Sequence, residues 1–285
     1  MKLATFTAGG PAQLGVVAGG SITPLNQSAP ALPSEMIGLI AAWPTVEPAV
    51  RAIAAAGAGA TPLEAVRLVA PIRRPGKIMA IGLNYADHIA ESGAETPKHQ
   101  VWFSKAPTAA NGPYDAIQVP RVSQTLDYEA ELVAVVGQGG RHVAREAARA
   151  ALFGYCCGND ATERAWQHRT GQWVLGKSFD THAPFGPWIT TTDEVEDPHA
   201  LSIRCLVNGE ERQASNTRHL VFNLWDQIEH LTQAMTLEPG DLIFTGTPAG
   251  VGAAMTPRQF LKPGDQVRIE IEGLGALDNP CAAEV

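Results

Sequence analysis

The sequence predicts an α+β protein in which β-strands outnumber helices. The chain of 285 residues is long enough for one large domain, or for one large and one small domain. A hydrophobic fraction of 45% can fill a sizeable core, which excludes global disorder. After residue 77, short apolar runs alternate with Gly- and Pro-containing turns and few helical patterns interrupt them. This arrangement favours an α+β domain over a doubly wound parallel sheet.

Residues 1–70 are rich in Gly, Ala and Pro and predict a small N-terminal α/β domain. Gly-Gly turns separate short strands at its start, and weak helical patterns follow at 35–42 and 47–57. The segment 71–76 contains two prolines and a glycine, which is typical of a linker. We therefore place the small domain at 1–70 and the main domain at 71–285.

The main domain is predicted to consist mostly of short strands. They are expected at 77–82, 117–119, 128–136, 187–190, 202–207, 242–245 and 267–272. Helices are expected at 82–93, 144–153, 161–168 and 221–235, the last with apolar residues at steps of three or four.

The charge balance and the cysteines exclude several classes of protein. The chain has 21 Lys and Arg against 29 Asp and Glu, and a net charge of −8 is unsuited to binding nucleic acid. No apolar run approaches the ~18 residues that span a bilayer, and the N-terminal residues do not resemble a secretory signal. The four cysteines form no C-x-x-C pair, and no dinucleotide or P-loop motif occurs. We expect a cytoplasmic enzyme that acts on a small molecule and binds neither nucleic acid nor a membrane.

Two glutamates at one end of a predicted strand need an explanation. In LDYEAELVAVV at 126–136, Glu129 and Glu131 point the same way as Val133 and Val135, because residues two apart on a strand share a face. Like charges repel, and burial raises the cost further. Either this end of the strand is solvated, or a cation lies between the two carboxylates.

A second E-x-E pair in the chain provides a comparison. Glu270 and Glu272 share their face with Arg268, while the opposite face is apolar, which predicts a solvated pair. The first pair departs from this pattern. Because hard divalent cations prefer oxygen ligands, Glu129 and Glu131 are candidate metal ligands.

Asp160 is the third candidate ligand. In GNDATE at 158–163 it can cap a helix, with Glu163 three residues later completing a capping box. An aspartate at a strand-to-helix junction is also well placed to bind a divalent ion. Three carboxylates and a few waters would suit Mg²⁺ or Mn²⁺, so both interpretations stay open here.

A histidine and a glutamate form a candidate general base. His88 and Glu91 lie three positions apart in the predicted helix, so they share a face and can hydrogen-bond. Asn84 is expected to cap this helix and Gly93 to end it. A carboxylate that orients an imidazole makes a competent general base, whereas an exposed ion pair would contribute little.

Lys177 and the loop at 245–252 carry further polar chemistry. Lys177 would stabilise negative charge developing near a metal, unless it is an ordinary surface lysine. The loop TGTPAGVG follows a predicted strand and offers backbone N–H groups and a hydroxyl to a carboxylate ligand, or it is only a tight turn.

Seven motifs in one order resemble the fumarylacetoacetate hydrolase family, especially its smaller bacterial members. The similarity covers about residues 75–275 and rests on GLNYADHIAE, KAPTAANGP, LDYEAELVAVVG, GNDATERAWQ, GKSFDTHAPFGPW, TLEPGDLIFTGTPAGVG and LKPGDQVRIEIEGLG. The resemblance implies a closed, mixed β-roll or barrel-like main domain behind the small N-terminal domain, and a homodimer.

The resemblance also implies roles for the candidate residues. Glu129, Glu131 and Asp160 match the ligands of Mg²⁺ or Mn²⁺. His88 and Glu91 match a dyad on a mobile lid that activates water.

Lys177 matches the lysine that steadies the reacting oxygen. Leu83 stands where several members carry Arg, and Thr181-His182 differs from the Thr-Phe of many relatives, which leaves the substrate open. The resemblance implies four positions near the bound 2-oxo acid, namely Tyr85, Arg164, Gln167 and Thr247.

These observations predict a metal-dependent hydrolase that cleaves a C–C bond in a 2,4-dioxo acid. The substrate would be an acylpyruvate, a fumarylpyruvate or a 2,4-dioxo-3-deoxy sugar acid, in aromatic or sugar-acid catabolism. The alternative is a decarboxylase or tautomerase of 2-oxo acids, such as oxaloacetate or a 2-hydroxymuconate, at the same metal site. A third possibility is a non-catalytic, metal-dependent binding module, which would not need the dyad close to the carboxylates.

Overall fold

Most strands belong to one large mixed sheet. The structure, a computed structural model, describes residues 1–285. The strands are Lys2–Thr7 (β1), Gln13–Ala18 (β2), Ser21–Pro24 (β3), Thr61–Pro62 (β4), Arg67–Val69 (β5), Ile78–Gly82 (β6), Val101–Lys105 (β7), Ala110–Asn111 (β8), Ile117–Val119 (β9), Leu126–Asp127 (β10), Ala130–Val136 (β11), Leu152–Asn159 (β12), Thr162–Glu163 (β13), Ala183–Thr191 (β14), Ser202–Val207 (β15), Glu210–Asn216 (β16), Leu242–Phe244 (β17), Gln266–Ile271 (β18) and Gly275–Ala283 (β19). The 12-stranded sheet runs β4-β3-β2-β1-β14-β12-β11-β17-β6-β7, with β5 on β1 and β8 on β14.

The N-terminal strands extend this sheet and do not form one of their own. β1 pairs antiparallel with β14, so that Lys2 lies opposite Thr190. Side chains from this part, such as Leu39, pack in one core with Phe244 of the main sheet. The linker predicted at 71–76 therefore separates two stretches of chain that share a sheet and a core, and the division into domains stays a prediction.

A second, five-stranded sheet has the order β16-β15-β18-β19-β9, and β10 pairs with β13. A common core of 29 buried residues joins it to the large sheet, for example through Ile269 and Tyr155. The mixed α/β architecture with several sheets is as expected. The closed barrel was a wrong expectation: the large sheet ends at β4 and β7 and the small one at β16 and β9. The core is enclosed because two open sheets pack on each other, not because one sheet closes on itself.

Six α-helices connect the strands: Leu25–Ser28 (α1), Met36–Ala56 (α2), Ala86–Ser92 (α3), Arg164–Gln167 (α4), Val174–Lys177 (α5) and Leu224–Ala234 (α6). α2 is one helix where two were predicted, although Pro44 and Pro48 lie inside it. Its length and composition would also allow it to cross a membrane, a criterion that core helices of globular proteins meet too. Leu39, Ile40 and Val50 of α2 are buried in the core of the large sheet.

The helix predicted at 144–153 is not an α-helix. A 3₁₀ helix spans Arg145–Ala151, and β12 begins at Leu152. Leu152 lies opposite Val136 of β11, so pairing in the sheet overrides the helical preference of the alanine-rich sequence. In contrast, α6 forms near its predicted position, capped by the Asn223 side chain, which accepts hydrogen bonds from two backbone N–H groups.

His182 is a buried neutral group next to β14. Its side chain is 0% exposed, Nε2 lies 2.8 Å from the carbonyl oxygen of Gln118, and Nδ1 has no partner. The ring lies 5.4 Å from that of Phe179. Burial, together with the positive charge of Lys105, lowers the pKa of His182 from 6.5 to about 3.

This lowered pKa predicts an acid-sensitive fold. Between pH 6.5 and about 3 the unfolded chain binds a proton at His182 that the folded chain does not, so the stabilisation is complete above pH 6.5 and is lost as the pH falls. His182→Phe should flatten the pH dependence of the free energy of unfolding between pH 6.5 and 4, measured by denaturant titration. The exposed His230 supplies the control, His230→Phe. An unchanged slope in His182→Phe would contradict this explanation.

Candidate metal centre and active site

The three candidate carboxylates lie at one end of the β11–β12 hairpin. Glu131 lies opposite Gly158 in the antiparallel ladder. At the adjoining ends of the two strands, the backbone N–H of Asp160 donates to the carbonyl oxygen of Glu129 at 2.9 Å, so these two residues lie side by side. A Cβ atom at Gly158 would come within 2.3 Å of the Val133 side chain, so only glycine allows this packing. Asp160 caps no helix: the N-cap of α4 is Glu163, so the capping-box interpretation of Asp160 is wrong.

The structure brings Glu129, Glu131 and Asp160 together as a buried acidic triad. One carboxylate oxygen of each lies within 4.8 Å of the others, and the three residues are 5%, 1% and 0% exposed. Burial and the neighbouring carboxylates of Asp160 and Glu129 raise the pKa of Glu131 well above its ordinary value. A cluster of hard oxygen donors with excess negative charge, shielded from water, fits Mg²⁺ or Mn²⁺.

Two lysines partly neutralise this triad. Lys177 Nζ lies 2.8 Å from Glu129 Oε2 and 2.6 Å from Asp160 Oδ2, so Lys177 is not an ordinary surface lysine. Lys105 Nζ donates to Asp160 Oδ1 at 2.5 Å and to the carbonyl of Ala161 at 3.1 Å. Burial raises the pKa of Glu129, but Lys177 and Arg164 outweigh this effect and hold the pKa below its ordinary value. Lys105 was not among the residues predicted from the sequence, where its only signal is a lysine at the end of an apolar strand.

The His88–Glu91 pair faces the same cavity from α3. His88 Nδ1 lies 2.8 Å from Glu91 Oε1, and the backbone N–H of Gly250 donates to Glu91 Oε2 at 2.9 Å. The His88 and Glu91 side chains are only 14% and 21% exposed, so this is not a freely solvated surface pair. With Nδ1 engaged by Glu91, Nε2 remains available to exchange a proton with a substrate.

The base of α3 is held by a contact that differs from the predicted cap. Asn84 does not cap the helix: its side chain donates to the carbonyls of Thr245 and Phe222 at 2.8 and 3.0 Å. This buried amide ties the start of α3 to the loop after β17. The predicted helix end is confirmed, since Gly93 has a left-handed φ of 67°.

A cavity of about 380 Å³ connects these groups. Of the ten predicted site residues, eight line it: His88, Glu91, Glu129, Glu131, Arg164, Gln167, Lys177 and Thr247. Asp160 does not line the cavity but contacts Lys177, which does. Tyr85 is also outside the lining: it is 0% exposed, and its hydroxyl has no hydrogen-bond partner. A dyad, a lysine and a carboxylate triad around one cavity argue against a purely binding role, which would not need the dyad there.

The family follows from a comparison with protein-family models. Residues 77–282 match the model described as fumarylacetoacetate (FAA) hydrolase C-terminal. The chain belongs to the fumarylacetoacetate hydrolase family.

Known members of this family resemble the chain over most of its length. It is 43% identical over 262 residues to oxaloacetate tautomerase Fahd2a, mitochondrial, of Rattus norvegicus, a match that covers 92% of this chain and 84% of the relative. The crystal structure of maleylpyruvate hydrolase from Sphingobium sp. SYK-6, in complex with manganese(II) and pyruvate, superposes with a TM-score of 0.84 at 35% identity over 100% of both chains. The crystal structure of 2-hydroxyhepta-2,4-diene-1,7-dioate isomerase from Mycobacterium marinum superposes with a TM-score of 0.77 at 30% identity. This match covers 100% of this chain and 99% of the isomerase chain.

Beside the triad, Arg164 forms buried ion pairs with two carboxylates, one of which belongs to the triad. Arg164 binds Glu129 Oε1 at 2.6 Å and Asp127 Oδ2 at 2.9 Å, and also donates to Gln167 Oε1 at 3.1 Å. Arg164 is thus engaged by protein carboxylates, and its expected position near a bound 2-oxo acid stays a prediction. The Thr247 hydroxyl accepts a hydrogen bond from the Gln213 side-chain amide at 2.8 Å, and its own O–H donates to no protein group.

Asp127 is a second buried residue at the site that the sequence did not predict. Besides Arg164, its fully buried carboxylate accepts hydrogen bonds from the backbone N–H groups of Gly252 at 2.8 Å and Ala253 at 2.9 Å. This turn lies two residues beyond Gly250, which binds the dyad. Asp127 therefore holds the wall that supports the dyad in a fixed position relative to Arg164 and the triad.

Asp127→Asn should loosen this connection without unfolding the protein. One accepting oxygen becomes a donating amide that faces N–H groups, so we expect kcat/KM and the affinity for the metal to fall about 10- to 100-fold, as for outer partners of metal ligands. Calorimetric titration with Mn²⁺ and steady-state kinetics measure the two effects. Asp265 offers a matched control, since it is also buried and holds a turn at Lys262 outside the cavity. Asp265→Asn losing as much metal affinity as Asp127→Asn would refute the specific role.

Proposed function

We propose that the protein is a metal-dependent tautomerase that interconverts the keto and enol forms of oxaloacetate or a closely related 2-oxo acid. The observation that carries this proposal is the buried carboxylate triad with a histidine–glutamate dyad facing the same cavity. The 43% identity to an oxaloacetate tautomerase over 92% of the chain supports this reaction in preference to C–C cleavage. The complex of a neighbouring structure with manganese and pyruvate supports a divalent ion and a 2-oxo acid as the bound pair.

The proposed reaction moves one proton and breaks no carbon–carbon bond. The C3–H bond of the keto form breaks, its electrons form the C2–C3 double bond, and the 2-oxo oxygen gains a proton. A bound Mg²⁺ or Mn²⁺, held by Glu129, Glu131 and Asp160, would supply positive charge that stabilises the enolate oxygen. His88 accepts the C3 proton at Nε2, and Glu91 stabilises the imidazolium that results. The imidazolium then gives this proton to the 2-oxo oxygen, which leaves His88 neutral again.

Lys177 and Gln167 complete the polar lining. Burial lowers the pKa of the Lys177 ammonium, but Asp160 and Glu129 outweigh burial and raise it, so Lys177 stays charged. A fixed ammonium beside the reacting oxygen favours the enolate in an environment shielded from water. Gln167 is 5% exposed and lines the same cavity, so its side-chain amide can orient the substrate carboxylate.

Hydrolysis of a 2,4-dioxo acid is the second candidate. The dyad that accepts a proton from carbon would equally accept one from water, and a maleylpyruvate hydrolase is among the similar structures. Hydroxide would then attack the 4-carbonyl, and the C3–C4 bond would break to give two acids.

A substrate panel separates these reactions. The protein, loaded with Mg²⁺ or Mn²⁺, is offered oxaloacetate, acetylpyruvate and a 2-hydroxymuconate, and the products are followed by NMR and mass spectrometry. We expect faster enol–keto conversion and C3 deuterium exchange of oxaloacetate, without release of CO₂. Efficient splitting of acetylpyruvate into acetate and pyruvate, with no acceleration of oxaloacetate tautomerisation, would replace the proposal by the hydrolase.

A further inference from the structure

The cations around the triad are nearly all paired with protein carboxylates. Arg164 binds Asp127 and Glu129, and Lys177 binds Glu129 and Asp160. These pairs hold the carboxylates of the metal site and leave no unpaired guanidinium in the interior of the cavity. A substrate with a second negative charge therefore needs a different cation.

Arg258 is that cation. It lines the same cavity, in the exposed turn that follows the 3₁₀ helix Gly252–Ala254, and it forms no salt bridge and no side-chain hydrogen bond. His168, also at the cavity, lies in its field: after burial and Arg164, Arg258 is the next group that lowers the pKa of His168. Arg258 is thus an exposed, unpaired cation at the cavity, whereas the triad is buried.

Part of the cavity lining is apolar. Ile81, Phe103, Trp173 and Val251 line the cavity and offer no group that would compensate a charge. An acid whose 2-oxo carboxylate end lies at the triad can direct its other end towards Arg258, because two of the triad carboxylates and Arg258 line the same cavity. An apolar end would gain nothing from Arg258, whereas a carboxylate can form a charge-assisted, bidentate pair with the guanidinium.

We propose that Arg258, which lines the cavity together with His168, binds the second carboxylate of a dicarboxylic 2-oxo acid and selects such acids over monocarboxylic ones. This inference rests on the proposed function for the orientation of the substrate, but it assigns a new role to a residue that does not touch the reacting atoms. Arg258 is a specificity-determining residue, so its removal should affect KM and not kcat.

Two pairs of acids that differ in the terminal carboxylate test this proposal. Oxaloacetate is compared with 2-oxobutanoate in C3 deuterium exchange, and 2-oxoglutarate with 2-oxopentanoate in calorimetric binding to the Mn²⁺-loaded protein. In Arg258→Gln, we expect KM for oxaloacetate and Kd for 2-oxoglutarate to rise about 10-fold, the scale of a hydrogen-bonded ion pair with some solvent exposure. The kcat and the values for the monocarboxylic acids should stay unchanged, and Arg258→Lys should keep part of the preference.

A matched variant controls for the loss of one surface charge. Arg74 is exposed and outside the cavity, so Arg74→Gln should leave all four values unchanged. Equal effects of Arg258→Gln on both members of a pair, or no effect on either, would overturn the proposal. The binding measurement stays informative even if the wild-type protein fails to tautomerise oxaloacetate, so failure of the proposed function and failure of the Arg258 site are distinguishable.

Discussion

Glu131→Gln is expected to abolish the binding of a divalent ion and with it the activity. The amide keeps the size of the side chain and can still accept the hydrogen bond from Gly246 N–H, which lies 2.8 Å from Glu131 Oε2. It removes one of three anionic ligands, however, so the affinity for Mg²⁺ or Mn²⁺ should fall by more than the ~100-fold seen for outer partners of a ligand. Calorimetry with Mn²⁺ and kcat/KM with oxaloacetate measure the two losses.

The same substitution should stabilise the metal-free protein. Burial and two nearby carboxylates raise the pKa of Glu131 above its ordinary 4.5, so the folded state keeps a proton that the unfolded chain releases. The contribution of Glu131 to stability is therefore complete below pH 4.5 and is lost as the pH rises through the raised pKa. The amide in Glu131→Gln cannot ionise, so the free energy of unfolding of this variant should exceed that of the wild type by an amount that grows from pH 5 to pH 8.

Thermal unfolding with and without metal distinguishes this account from simple damage to the fold. The wild-type protein should gain about 2.7 kcal/mol at a metal concentration 100 times Kd, and Glu131→Gln should gain nothing. Glu272, in the solvated E-x-E pair, provides the control, since Glu272→Gln should retain the full shift. A full metal-induced shift in Glu131→Gln would show that the triad is not the site.

His88→Ala should lower kcat about 100-fold or more while the affinity for metal stays the same. His88 is paired with Glu91, not with a carboxylate of the triad, so its removal takes away proton transfer and leaves the ligands intact. Glu91→Gln should give a smaller loss, because the imidazole remains but loses its orienting anion. Steady-state kinetics and Mn²⁺ calorimetry on the same samples separate the two properties.

An unrelated histidine shows whether such an effect is specific. His230 is exposed on α6 and outside the cavity, so His230→Ala should keep wild-type kcat. Full activity in His88→Ala would exclude the dyad from the reaction and leave metal-assisted enolisation with another base.

The clustering of the acidic residues could be anticipated from the sequence because its signal is local. The contrast between the E-x-E pair at Glu129 and the one at Glu270 depends only on strand alternation, and the structure shows a buried cluster at the first and ion pairs with Arg268 and Arg204 at the second. The His88–Glu91 spacing likewise requires nothing beyond one helix turn.

The missed residues depend on contacts between distant parts of the chain. Asp127 accepts a hydrogen bond from Gly252, 125 positions away, and Lys105 binds Asp160 across 55 positions. No periodicity or spacing in a single sequence reports such pairs. For the same reason the pairing of β1 with β14 was not foreseen, since strand order is decided by packing and not by the composition of either strand.

The location of the triad on one hairpin has a consequence for how this scaffold can diverge. Glu129, Glu131 and Asp160 come from adjoining ends of β11 and β12, whereas the His88–Glu91 pair lies on α3 and Arg258 in the segment after the 3₁₀ helix Gly252–Ala254. Substitutions in those two segments can change the groups that face the cavity while the carboxylate cluster stays in place. Because the carboxylate cluster lies on different elements from these two segments, there is a physical reason why tautomerases, hydrolases and isomerases can share one architecture.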